Sequence, residues 1–222
     1  MKILVACEES QIVALAFRAM GHEAYSCDIQ SCSGGHPQFH IKANVFDVVP
    51  GGYIITEAGN KIFIDKWDML IAFPPCTYLT VSGNRHIICN PERWQLRVDA
   101  LRFVYDLMNA PIEKIAIENP VGVISTHIRK PNQIINPYYF GDNVPKKTCL
   151  WLKNLPLLKH SECNTLFESK THVEPEFLVY NSKSKKSGKS KYSIFGKMGK
   201  GSGKLRSKTF PGIAKAMAEQ WS

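Results

Sequence analysis

The chain has 222 residues and a mass of 25.0 kDa, which suits one domain or one domain with an appendage. Its 44% apolar and 21% charged residues are an ordinary globular mixture and exclude wholesale disorder and collagen-like repeats. No apolar run approaches the ~18 residues needed to cross a bilayer. Seven cysteines without paired spacing argue against a disulfide scaffold and for a reducing, cytoplasmic setting.

The formal charge of +9 is local. Residues 182–208 hold nine lysines and Arg206 with no acid, and the remaining chain sums to −1. This Gly/Ser/Lys-rich block is too polar to bury itself and is expected to be mobile when free. It reads as an arm contacting nucleic-acid phosphates, or else as a solvated loop that aids solubility.

Residues 3–6 form a short apolar strand, and residues 11–20 have helical apolar spacing that Gly21 stops. A second strand is expected over 23–27, ending at Asp28. Strand, helix, strand within ~30 residues opens a nucleotide-binding α/β sheet. Residues 53–55 and 62–64 flank Gly59-Asn60 as a hairpin insertion. A buried strand over 67–73 runs into Pro74-Pro75-Cys76. Asn90 caps and Pro91 opens a helix to about Asn109.

A strand over 114–117 then ends in Glu118-Asn119-Pro120, and another is expected over 149–152. Thr209 is the expected cap of a last helix opened by Pro211, with Ile213, Met217 and Trp221 on one side. Residues 1–159 are therefore expected to be a catalytic core, 160–208 a small basic lobe or arm, and 209–222 a helix returning to the core.

In an open parallel sheet, ligands sit beyond the carboxyl ends of the strands. Glu8-Glu9, Pro74-Pro75-Cys76 and Glu118-Asn119-Pro120 all fall at such ends. A cysteine there can act as a thiolate nucleophile, and a carboxylate whose pKa is raised by desolvation can move a proton. A lone cysteine is ordinarily core filler, and a Glu-Asn-Pro is ordinarily a strand stop. Their occurrence as a pair, with a helix between, sets them apart.

These motifs resemble those of the DNA cytosine-5 methyltransferases, most closely the short phage and prophage-type members. The resemblance implies a Rossmann-like class I S-adenosylmethionine-dependent methyltransferase sheet with a small C-terminal excursion. It implies that Cys76 attacks C6 of cytosine and that Glu118 engages N3 of the same ring. Residues 77–83, Thr80 among them, look like the catalytic loop. By the same resemblance S-adenosylmethionine would be held by Ala6, Cys7, Glu8, Glu9, Ser10, Asp28, Ile29, Asn44 and Pro74. The DNA substrate would be held by Pro75, Thr80, Asn119, Lys147 and Arg206.

The chain departs from the family pattern in four places. Cys7-Glu8-Glu9-Ser10 replaces a Gly-rich loop, and Asn44 stands where an acid is usual. The arginines that contact a flipped base are not evident, leaving Lys147 as the candidate. Only about 160–205 could serve as a recognition domain, so weak sequence discrimination is expected.

Amino-group methylation is disfavoured, because it needs an Asp/Asn/Ser-Pro-Pro-aromatic motif where this chain has Phe73 and Cys76. The remaining alternatives are a lapsed nucleic-acid- or cofactor-binding protein and an enzyme acting on free cytidine nucleotides. No metal is expected: Cys27 with Cys32, and His160 with Cys163 and His172, lack the Cys-x-x-Cys spacing of a zinc site. Ser82 with His86 and Ser125 with His127 sit in no nucleophile-elbow pattern.

Overall fold

The computed structural model describes residues 1–81, 90–164, 169–181, 189–192 and 209–222. β1 (Lys2–Ala6) alternates as a doubly buried strand must: Leu4 and Ala6 enter one apolar cluster, Ile3 and Val5 the other. α1 (Ile12–Ala19) buries Val13, Ala14 and Phe17. Gly21 ends the turn after it with φ +84°, where a side chain would be strained. β2 (Glu23–Asp28), β3 (His40–Lys42) and the short helix α2 (Val45–Val48) follow. The expected hairpin is present as β4 (Gly52–Ile55) and β5 (Lys61–Ile64), paired antiparallel outside the main sheet.

β6 (Met69–Ala72) is buried throughout. α3 (Pro91–Met108) starts at Asn90, whose side chain accepts from the Arg93 amide at 3.3 Å. β7 (Lys114–Pro120) runs three residues further than the apolar pattern predicts, because the Glu118-Asn119-Pro120 backbone continues to pair with the neighbouring strand. α4 (Ile124–His127), β8 (Gln133–Ile135), a 3₁₀ turn at Pro137–Phe140 and β9 (Thr148–Lys153) complete the core. β10 (Leu178–Asn181) pairs antiparallel with β11 (Lys189–Tyr192), so the described part of the basic block is a strand. The rest of residues 182–208, Arg206 included, lies outside the described residues.

The main sheet runs β3-β2-β1-β6-β7-β9-β8. β9 lies antiparallel to its neighbours, while the pairings among β3, β2, β1, β6 and β7 are parallel. Counting sheet strands alone, the order is 3-2-1-4-5-7-6 with the seventh reversed, a Rossmann-like α/β sheet. One face is covered by α2, α3 and the hairpin through Val45, Ile54, Ile64, Val104 and Leu107. The other is covered by α1 and α5 (Pro211–Trp221), which buries Ile213, Ala214, Met217 and Trp221. Each fully buried Val, Ile, Leu or Met among them contributes about 1.5–3 kcal/mol on burial.

Thr209 does not cap α5. The N-cap position is Phe210, which has no side-chain cap to offer, and Asp142 Oδ2 accepts from the Gly212 amide at 2.9 Å instead. At the other end of α5, Lys159 and Gln220 exchange two bonds, 2.7 Å and 2.9 Å, and Trp221 Nε1 donates to the Pro156 carbonyl. No helix among the described residues is long and apolar enough to cross a membrane.

Candidate functional site

Because β1, β2, β3 and β6 are parallel, their carboxyl ends share one edge. A cavity of about 380 Å³ opens there, within the range of small-ligand sites. Its lining includes Cys7 after β1, Asp28 at the end of β2, Asn44 before α2, Pro74 and Pro75 after β6, and Phe103 of α3. Of the expected cofactor residues, Cys7, Asp28, Ile29, Asn44 and Pro74 line this cavity, as does the expected substrate residue Pro75. The wall is largely apolar, with Val45, Ala100 and Phe103 among its side chains and Asp28 supplying a carboxylate. Asn44 also caps α2, its Oδ1 accepting from the Phe46 amide at 3.1 Å.

Ala6, Glu8, Glu9 and Ser10 do not line it. Ala6 is fully buried. Glu8 turns into the protein and accepts from the Val13 and Ala14 amides at 2.6 Å and 3.2 Å, capping α1 where Gln11 does not. Burial pushes its carboxyl up to about 8 against those two bonds. The Glu9 carboxylate accepts from the Ser33 hydroxyl. The Ser10 carbonyl lies where a Cβ on Gly34 would clash, at 2.6 Å, so the two loops pack backbone to backbone.

The Pro-Pro-Cys and Glu-Asn-Pro motifs are neighbours in space. β6 and β7 pair with Ala72 opposite Ile117, so both motifs lie at the same edge of the sheet. Asn119 is 1% exposed, and its Nδ2 donates to the Pro74 carbonyl at 2.7 Å. The Cys76 carbonyl accepts from the Leu79 and Thr80 amides, forming a tight turn. That turn is pinned to the loop after β7: the Val123 amide donates to the Leu79 carbonyl at 2.8 Å, and Thr80 bridges to Gly122. A Cβ on Gly122 would lie 2.1 Å from the Leu79 oxygen, so only glycine permits this approach.

Successive strand residues face opposite sides. Asn119 turns toward the cavity face and Glu118 toward the α5 face, where Thr148 Oγ1 donates to its Oε1 at 2.9 Å. Desolvation raises the Glu118 pKa, while the Lys146 charge and the Thr148 bond pull it back. Lys146, not the exposed Lys147, is the cation whose charge acts on Glu118; its Nζ lies 5.4 Å over the Phe210 ring. A lysine pair gives no clue from sequence to which member faces inward.

Sequence reasoning also missed Arg97, 5% exposed, whose Nε donates to the Tyr78 carbonyl at 2.8 Å and so positions the loop after Cys76. The available signal was an arginine falling in register with Val104 on the apolar stripe of α3. The other cysteines near the site are held protonated. Burial, with Asp28 adding to it, pushes the Cys7 thiol far above the ordinary thiol range, and burial pushes Cys27 to about 12 and Cys149 to about 11.

No protein-family model matches this chain, and no curated protein matches it. It is similar to a solved structure from E. coli described as a DNA modification methyltransferase encoded within a prophage. The identity is 14% and the TM-score 0.40, over 73% of this chain and 49% of that one. The chain thus spans about half the length of that relative, and so slight a likeness bears on neither activity nor substrate.

Proposed function

We propose that the protein transfers a methyl group from S-adenosylmethionine to C5 of cytosine in DNA, with little sequence discrimination of its own. The observation that carries this reading is the Asn119–Pro74 bond, which ties the cysteine loop to the glutamate strand beside a nucleoside-sized cavity. The cavity's residues fit the cofactor: the apolar surface of Val45, Ala100 and Phe103 suits a base, and Asp28 suits ribose hydroxyls. When bound, S-adenosylmethionine supplies an electrophilic methyl group.

The remaining chemistry belongs to the protein. C5 of an aromatic cytosine is a poor nucleophile. The Cys76 thiolate adds to C6, and the electron pair of the C5–C6 bond moves toward N3, where the Glu118 carboxyl delivers a proton. Desolvation of Glu118 keeps that proton in place to higher pH than an ordinary carboxyl would. Once C5 carries the methyl group, loss of the C5 proton to water restores the C5–C6 double bond and expels the thiolate, and the N3 proton returns to the Glu118 carboxylate. A duplex hides C6, so the base is flipped out of its stack. The lysines of 182–208 bind phosphates without reading base edges.

The test is incubation with labelled cofactor and duplex DNA, single-stranded DNA or deoxycytidine nucleotides, with Cys76→Ser and Glu118→Gln alongside. Label at cytosine C5 of DNA, abolished in Cys76→Ser, is the expected result. Label on an exocyclic amine, transfer confined to free nucleotides, or turnover that survives loss of the thiol overturns the reading.

A further inference from the structure

After β9 the chain passes back over the Pro137–Phe140 turn, and three ligating side chains meet there. His160, Glu162 and His172 each place one ligating atom within 4.8 Å of the other two. The backbone fixes this meeting. The Thr171 and His172 amides both donate to the Ser161 carbonyl at 3.0 Å. Thr171 Oγ1 accepts from the Ser161 amide at 3.0 Å and lies 2.8 Å from the Tyr139 carbonyl, to which it donates. The Val173 amide reaches the Tyr138 carbonyl at 2.9 Å.

The rings are held as well. His160 stacks on Tyr139 with centroids 4.4 Å apart, and His172 sits edge-on to Tyr138 at 5.2 Å. In both histidines Nδ1 is buried and makes no hydrogen bond. Two such orphaned nitrogens, on rings whose centroids are 6.5 Å apart and with the Glu162 carboxylate in the same group, call for an explanation that packing alone does not give.

We propose that His160, Glu162 and His172 bind one divalent transition-metal ion, zinc by preference, which clamps the segment after β9 onto the Tyr138–Tyr139 turn. Two imidazoles and one carboxylate suit zinc, whereas calcium and magnesium prefer all-oxygen ligands. The sequence hides the site because its histidines are twelve residues apart, with no Cys-x-x-Cys pair. The fold supplies the proximity by hydrogen-bonding Ser161 to Thr171. This site is independent of methyl transfer.

Untagged protein stripped with chelator is titrated with Zn²⁺ against a chromophoric competitor, and separately with Co²⁺ by visible absorption. Uptake of about one equivalent is expected, with cobalt d–d bands and no thiolate charge-transfer band. His160→Gln and His172→Gln each weaken binding by at least about tenfold, the least that loss of a direct ligand should cost. Glu162→Gln, at an exposed residue, weakens it in the same direction without threatening the fold. Cys76→Ser leaves it unchanged, and circular dichroism verifies that each variant is folded. Negligible uptake at micromolar free zinc, or uptake undiminished in folded His160→Gln/His172→Gln double variant, overturns the proposal.

Discussion

Asn119 Nδ2 lies 2.7 Å from the Pro74 carbonyl and donates to it, although the two residues are 45 positions apart in the chain. Pro74 and Pro75 cannot donate amide hydrogens of their own, so the loop that aims Cys76 depends on a donor from the adjacent strand. Replacing Asn119 with alanine leaves a buried carbonyl unsatisfied, at a cost of about 1–3 kcal/mol. Urea denaturation should record that loss. Single-turnover methyl transfer should fall more than cofactor affinity does, since Asn119 does not line the cavity.

Gly122 provides the second fastening of the same loop. An alanine there meets the Leu79 carbonyl oxygen at 2.1 Å, and overpacking of this kind costs about 1–3 kcal/mol. The Thr80–Gly122 bridge should open, and limited proteolysis should cut within the loop after Cys76 faster in Gly122→Ala than in the parent. Equal cleavage rates would show that the bridge does not restrain the loop.

In the proposed reaction, Glu118 should set the pH dependence of turnover on its alkaline side. Its carboxyl is raised by burial, so the proton needed at N3 is present below that raised value and is lost as pH climbs through it. Lys146→Met removes a charge that lowers it, and should therefore move the alkaline limb of kcat/KM to higher pH. Glu118→Gln should abolish that limb and slow turnover by about 10²–10⁴-fold.

Glu8 gives a separate effect on stability. Its folded pKa, raised from 4.5 to about 8, means that the folded state holds a proton that the unfolded chain releases earlier. Its stabilising share is complete below 4.5 and declines as pH rises toward 8. Thermal melts of Glu8→Gln and the parent should diverge over that window, with the variant gaining relative stability as pH rises. Parallel curves would place the Glu8 proton elsewhere.

Local signals made much of the fold legible in the sequence. Continuous apolar runs marked β1 and β6, Asn90-Pro91 marked the start of α3, and Gly59-Asn60 marked the hairpin. Non-local effects were not legible. The cap of α5 comes from Asp142, 70 residues earlier, so Thr209 looked like the only candidate. β7 extends through Glu118-Asn119-Pro120 because β9 pairs with it. The three-residue strand β8 is too short to show a pattern. At the cavity, the residue type and its place at a strand end pointed to Asp28, which lines it. The pleat and the register, which sequence does not display, brought Thr148 and Lys146 to Glu118 and turned Glu8 away from the cavity.

The paired bonds between Lys159 and Gln220 tie the two flanks of everything in between. With its base sewn shut and residues 171–176 fastened to the turn after β8, extra length added beyond Glu176 should leave the sheet undisturbed, since doubling a loop's length costs only about 0.6 kcal/mol. The architecture thus offers a socket for grafting, in which a foreign segment would be carried by an already finished fold.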